Sequence, residues 1–141
     1  MKLDLTSFRN ALDRLDEALG LCDSAAAKGA SHLAQVLRCG TIQAFGCSYE
    51  LCIKTLKYGL IEYEISPDDI DDMSFNALIR RGYEAGLLKV ELSVWKQFRH
   101  YRTISGHAYD ELKAAEIYKG IPAFRAEARF LLAELERRQD D

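Results

Sequence analysis

The sequence predicts an all-α protein, an antiparallel up-and-down bundle of five to six helices built like a four-helix bundle. Three observations carry this reading. Apolar residues recur at three- and four-residue spacing through every long segment, no stretch alternates apolar and polar as a half-buried strand would, and the periodic segments are joined mostly by short connections. With 141 residues, the chain is long enough to bury one continuous core, so residues 1–141 are read as a single domain.

Leu5, Phe8, Leu12, Leu15, Leu19 and Cys22 form the seam of a first helix, which the stretch from Asp23-Ser24 to Gly29-Ala30 closes. From Ser31 to about Ile65 there is no proline, and Leu33, Val36, Leu37, Ala44, Cys47, Leu51, Cys52 and Leu56 keep helical spacing. This predicts an unusually long second helix, bent near Gly40 or Gly46. Ser66, Pro67, Asp68 and Asp69 combine an N-cap serine, proline at the first helical position and acids in the first turn, and they open a third segment that runs to about Gly86.

A fourth helix, 91–104, is predicted to bury Val94, Trp95, Phe98 and Tyr101 and to stop at Ser105-Gly106. A fifth is expected to begin around His107, with Asp110 and Glu111 suited to its N-terminus. Gly120 and Pro122 are expected to bend or interrupt it before Phe124, Ala128, Leu131 and Leu135 resume the seam.

Composition narrows the function. Nineteen basic and 22 acidic residues, well mixed, leave a formal charge of −3, so no global basic field draws the chain to nucleic acid and any RNA site must be local. Cys22, Cys39, Cys47 and Cys52 form no C-x-x-C pair and read as reduced, buried filling rather than a zinc site or disulfide framework. No glycine-rich phosphate loop is present, and the acids Asp68, Asp69, Asp71 and Asp72 read as a solvated first helical turn, so neither cofactor nor metal is expected. The N-terminus lacks a long apolar run, which makes a signal peptide or membrane span unexpected and the cytoplasm the default compartment. The long second helix and the aromatic fourth offer more apolar surface than a small bundle hides, which predicts a homodimer.

Chemistry concentrates where the fourth helix ends. Arg102 lies seven residues after Trp95, on the apolar line, and a buried cation there needs an anion, because leaving it unpaired costs several kcal/mol. A phosphate would serve, and so would a neighbouring carboxylate such as Glu50. The turn at Ser105-Gly106 can fold His107 and Tyr109 back toward Arg102, giving the pattern Arg-x4-His-x-Tyr. Histidine titrates near neutrality and can exchange protons with a ribose 2′-hydroxyl, while arginine can hold a phosphate through two hydrogen bonds. Together they suffice for metal-independent attack of a 2′-oxygen on the adjacent phosphorus. The plainer alternative pairs Arg102 with Glu50 and leaves His107 as an ordinary residue near a helix start. Lys54 and Lys57, one turn apart beside Glu50, either border a nucleotide or partner surface or form a solvated face. His32 and His100 have no suggestive neighbours.

The span Trp95 to Asp110 resembles the signature of HEPN-domain proteins, specifically the nucleotidyltransferase substrate-binding group that includes the toxin halves of HEPN/minimal-nucleotidyltransferase toxin–antitoxin pairs. The long second helix is similar as well, with Phe45, Tyr49-Glu50-Leu51 and Lys54-Thr55-Leu56-Lys57 in the order that group shows. The resemblance covers almost the whole chain. It implies an antiparallel helical bundle that dimerises and is encoded beside a minimal nucleotidyltransferase. For the toxin members it implies ribonuclease activity through residues matching Arg102 and His107, silenced when the partner adds adenylyl groups to the tyrosine matching Tyr109. Those families commonly carry Asn or Asp after the arginine, whereas this chain has Thr103. A non-enzymatic subunit that binds nucleotide or substrate for a nucleotidyltransferase is the alternative the resemblance implies.

Overall fold

The computed structural model describes residues 3–140. Within them lie six α-helices and no strand: α1 (Thr6–Ala27), α2 (Ser31–Tyr63), α3 (Pro67–Asp71), α4 (Phe75–Glu84), α5 (Leu92–Ile104) and α6 (Glu111–Asp140), with a 3-10 turn at Ser105–His107. Cross-helix pairs give the directions. Arg9 meets Glu136, Arg129 meets Asp13, and Tyr118 meets Asp23, so α1 and α6 run antiparallel. Ser48 on α2 hydrogen-bonds the Ala11 carbonyl of α1, and His100 on α5 meets Glu116 on α6. The result is an up-down-up-down bundle of α1, α2, α5 and α6, with α3 and α4 bridging the far end of α2 to the start of α5.

The core is aromatic at its centre. Phe124 packs edge-on against Phe45 and Phe98, with ring centroids 5.1 and 5.6 Å apart, and Trp95 packs edge-on against Phe98 at 5.2 Å. Trp95 and Phe98 are buried as the spacing predicted, while Val94 and Tyr101 lie half-buried at the edge. Tyr49 is buried against Trp95, and that burial pushes its hydroxyl up to about 12.

Four expectations need correction. The segment from Ser66 to Gly86 is two helices, because Ser74 repeats the capping device of Ser66: its Oγ accepts from the Ala77 N–H at 3.2 Å and starts α4 afresh. The last helix begins at Glu111 rather than near His107, because Asp110 Oδ1 accepts from the N–H groups of Leu112 and Lys113 and fixes the start there. That helix then runs unbroken through Gly120 and Pro122. Of the cysteines, only Cys22 and Cys52 are buried, and burial pushes the Cys52 thiol up; Cys39 and Cys47 are exposed on α2, together with Leu33 and Val36.

Gly120 serves packing rather than bending. A Cβ there would lie 2.1 Å from a Tyr101 ring carbon. In an exposed helix, Gly→Ala gains about 1 kcal/mol, but here the ring must move, so Gly120→Ala is expected to destabilise by about 1–3 kcal/mol. Urea unfolding measures this, and shortening Tyr101 to Leu should recover most of the loss.

The α1–α6 seam carries a charge cluster. Arg129 Nη2 reaches Asp13 at 2.8 Å and Asp16 at 2.6 Å, and Arg125 also bonds Asp16. Partial burial pushes the Asp16 carboxyl up, yet hydrogen bonds from Arg125 and Arg129 outweigh it and hold the carboxyl below its usual range. A carboxyl depressed in the folded state contributes stability that is present above its unfolded value and lost as pH falls through its folded one. Stability is therefore expected to decline below about pH 4, and Asp16→Asn should make that decline shallower in urea titrations at stepped pH.

Candidate active site

Arg102 sits in the last turn of α5, held in place by the Trp95 and Phe98 anchors two turns and one turn earlier. Its side chain crosses α2 at Gly46, where a Cβ would approach the guanidinium at 3.6–3.8 Å; the missing side chain gives the guanidinium a flat bed. Nε and Nη2 both donate to one carboxylate oxygen of Glu50, at 3.1 and 2.7 Å, and Nη1 donates to Ser105 Oγ at 3.1 Å. The Ser105 hydroxyl in turn donates to the Arg102 carbonyl at 2.7 Å. The seven-residue step from Trp95 implied a buried cation. Instead the side chain runs over Gly46 to the rim and leaves the guanidinium side chain 39% exposed.

Exposure decides what the Glu50 pair means. The Glu50 side chain is 63% exposed, and an ion pair between groups this open contributes only about 0.2–1 kcal/mol. Two of the five guanidinium N–H bonds lack a partner among these three contacts. A phosphate arriving with charge-assisted, bidentate geometry can therefore use the free N–H bonds or displace Glu50.

His107 ends the 3-10 turn, and its Nδ1 pairs with the Tyr109 hydroxyl at 2.9 Å. With Nδ1–H donating to the phenol oxygen, Nε2 keeps its lone pair for a substrate proton; in the other tautomer Nε2 is the donor. Tyr109 is 81% exposed, open to any enzyme that modifies it. Among the described residues, no hydrogen bond joins Arg102 to His107, so the chain brings Arg102 together with Glu50 and Ser105, and His107 together with Tyr109, as two adjacent clusters one turn of chain apart. Thr103 donates to the Arg99 carbonyl within α5.

A pocket of about 170 Å³ opens beside the guanidinium. Ile42, Gln43, Gly46 and Cys47 of α2 form one side, and Ser105 and Gly106 join Arg102 on the other. Sequence reading missed Gln43, Cys47 and Ser105 as site residues. The available signal was helical spacing on α2, since Gln43 and Cys47 flank Gly46 one turn above Glu50. Lys54 and Lys57 border a different depression on α2, of about 340 Å³, with Tyr49, Glu50 and Ile53, and Lys54 leans over the Tyr58 ring at 5.8 Å. His100, read as lacking neighbours, pairs with Glu116 at 2.9 Å.

Residues 3–137 match the profile of the family described as "Nucleotidyltransferase substrate binding protein like". The chain belongs to that family. A Haemophilus influenzae protein named "Probable ribonuclease HepT" is 37% identical over 99 residues, covering 70% of this chain and 67% of that one. A solved Haemophilus influenzae structure, described as the fold of a substrate-binding domain of a nucleotidyltransferase, matches with a TM-score of 0.83 at 30% identity, covering 94% of this chain and 99% of the other. The family read from the Arg-x4-His-x-Tyr segment and the all-helical fold are both borne out. Among the described residues, no helix of this family member is long and apolar enough to cross a membrane.

Proposed function

We propose that this chain is a toxin of the HEPN type, a metal-independent endoribonuclease that acts as a single-domain cytoplasmic homodimer and is neutralised by a cognate minimal nucleotidyltransferase. The observation that carries the reading is the placement of a half-open guanidinium at Arg102, in the last turn of α5, and of His107, whose second ring nitrogen is free, at the end of the three-residue turn that follows. Arg102 holds the scissile phosphate and offsets the charge that builds on its oxygens. His107 Nε2 takes the 2′-hydroxyl proton as the 2′-oxygen attacks phosphorus, and the 5′-oxygen leaves with a proton returned by a histidine. A second copy would supply a second histidine for that return. Leu33 and Val36, exposed on α2, and Leu112, exposed at the start of α6, lie at the same end of the bundle as the site and support a second copy there. Neither metal nor cofactor is required by this chemistry.

Tyr109 is the control point in this reading. Adenylylation of its phenol adds a negatively charged phosphodiester two residues from His107, able to compete for the Arg102 fork and exclude RNA. A second reading, a non-enzymatic subunit that binds nucleotide or substrate for its nucleotidyltransferase, draws support from Thr103, which stands where those toxin families carry Asn or Asp and whose hydroxyl hydrogen is committed to the Arg99 carbonyl.

Expression of the chain alone is expected to slow growth. Co-expression with the nucleotidyltransferase from the adjacent reading frame should restore it and add AMP masses that vanish in Tyr109→Phe. Unimpaired growth together with unmodified protein would reject the toxin reading. AMP found on another residue would reject Tyr109 alone.

A further inference from the structure

We propose that the face of the bundle beside the Arg102 clamp is a phosphate track, on which Arg99 of α5 and Lys54 and Lys57 of α2 hold the backbone phosphates next to the one on Arg102. The inference rests on the reading of Arg102 as a phosphate clamp and adds to it how the rest of the strand is held. Glu50 joins the two regions. It binds the Arg102 guanidinium, and it also lines the depression of about 340 Å³ along α2 that Lys54 and Lys57 border. At about 1.5 Å of rise per residue, the two lysines stand about 6 and 10.5 Å along the α2 axis from Glu50, in steps of about one helical turn. Both are exposed, and neither pairs with a carboxylate among the described residues.

Arg99 adds a cation from α5, one turn before Arg102. Its guanidinium carbon lies 4.6 Å from the centre of the Phe75 ring, and it too meets no carboxylate among the described residues. Stacking holds the planar group in place while the side chain stays exposed. Burial raises the Tyr49 hydroxyl and the charges of Arg99 and Arg102 pull it back, so both guanidiniums lie close to a residue that walls the depression. Glu50 is the single acid in that lining, and it is committed to Arg102. Uncommitted cations stepping away from a phosphate clamp suit a polyanion with charges at regular intervals. A single strand fixed at one phosphate by Arg102 presents its neighbouring phosphates in this way, and contacts to phosphate carry no preference among bases. In a chain of net charge −3 the attraction is confined to this face.

The test uses the full chain and two 2′-O-methyl ligands, which lack the attacking hydroxyl: a labelled uridine dodecamer, followed by fluorescence anisotropy across salt concentration, and a uridine dinucleotide with one phosphate, followed by NMR titration. Each phosphate contact on a single strand contributes about 0.7 to the slope of log affinity against log salt. For the dodecamer, Lys54→Ala with Lys57→Ala should make that slope shallower by about 1.4, and Arg99→Ala by about 0.7. At about 0.1 M salt the double variant should bind the dodecamer about 10–30-fold more weakly. Its affinity for the dinucleotide should stay that of wild type, and Lys54→Arg with Lys57→Arg should keep the wild-type slope. Lys28→Ala with Lys119→Ala removes the same charge from other exposed positions and should leave the slope unchanged. Arg102→Ala should weaken both ligands. A Lys54/Lys57 double alanine variant with the wild-type slope, an equal drop in the Lys28/Lys119 variant, or a wild-type chain that holds the dodecamer no more tightly than the dinucleotide would overturn the track while leaving the clamp standing. A dinucleotide that binds Arg102→Ala as tightly as wild type would instead overturn the clamp, and the track with it.

Discussion

His107→Ala is expected to slow RNA cleavage about 10²–10⁴-fold, the range a positioned proton-transfer group contributes. Thermal unfolding should be unchanged, because His107 is exposed and its one side-chain hydrogen bond goes to the equally exposed Tyr109. Arg102→Lys separates the two roles. Lysine keeps the charge but not the planar fork that binds Glu50 through two nitrogens and Ser105 through a third. Losing one charge-assisted hydrogen bond to phosphate is worth about 1.5–3 kcal/mol, so this variant should lose about 10–100-fold, mainly in affinity for RNA. Cleavage assays across substrate concentration, paired with melting curves, check both. A His107→Ala protein that cleaves as fast as wild type would remove the proton-transfer role.

The largest effect on stability is expected far from that chemistry, at Glu127. This carboxylate is only 3% exposed and accepts four hydrogen bonds: from the Lys89 N–H at 3.0 and 3.1 Å, the Val90 N–H at 2.9 Å and the Trp95 indole N–H at 2.9 Å. It ties the loop before α5 to α6 and orients the indole at the centre of the aromatic core. Glu127→Ala strands the buried indole donor and two part-buried backbone donors and opens a void, a loss of about 3–5 kcal/mol. Domains of this size are stable by about 5–15 kcal/mol, so the variant should unfold at markedly lower urea. Glu127→Gln keeps one carbonyl acceptor and should lose less. Because Trp95 anchors the helix that carries Arg102, the alanine variant should also lose RNA binding. A Glu127→Ala protein as stable as wild type would contradict this account of the core.

What was legible in the sequence follows from how each signal is encoded. Long helices announce themselves through many residues, so α2 and α5 are visible within a residue or two of their observed ends, as are the serine cap and proline that start α3, while α1 is visible by its seam but runs on to Ala27 through residues read as its close. The Ser74 cap was visible in the same way and was overlooked because the apolar spacing of Leu78 and Ile79 carries across the break. Gly120 and Pro122 misled for a different reason. Each weakens an isolated helix, but α6 is held on two sides by α1 charge pairs and by the Tyr101 ring, and tertiary packing overrides local propensity. The role of Glu127 has no local signature, because its donors come from residues more than 30 positions earlier in the chain.

The candidate site divides the same way. Arg102, His107 and Tyr109 share one short motif and could be named from spacing, and Glu50 was the natural carboxylate partner for Arg102. The partial exposure of the guanidinium was not legible, since it depends on where the Arg102 side chain crosses α2, at Gly46, 56 residues earlier. Gln43 and Cys47 became site residues only when α2 was laid against the Ser105-Gly106 turn.

The central claim is that Arg102 and His107 act on an RNA phosphate by directing its neighbouring 2′-oxygen. The most direct test is the chemistry of the ends that purified protein leaves on a labelled RNA in EDTA. Attack by the 2′-oxygen predicts fragments ending in a 2′,3′-cyclic phosphate and beginning with a free 5′-hydroxyl, and no cleavage of a strand carrying 2′-O-methyl at every position. Fragments beginning with a 5′-phosphate, or cleavage of the fully 2′-O-methylated strand, would contradict it.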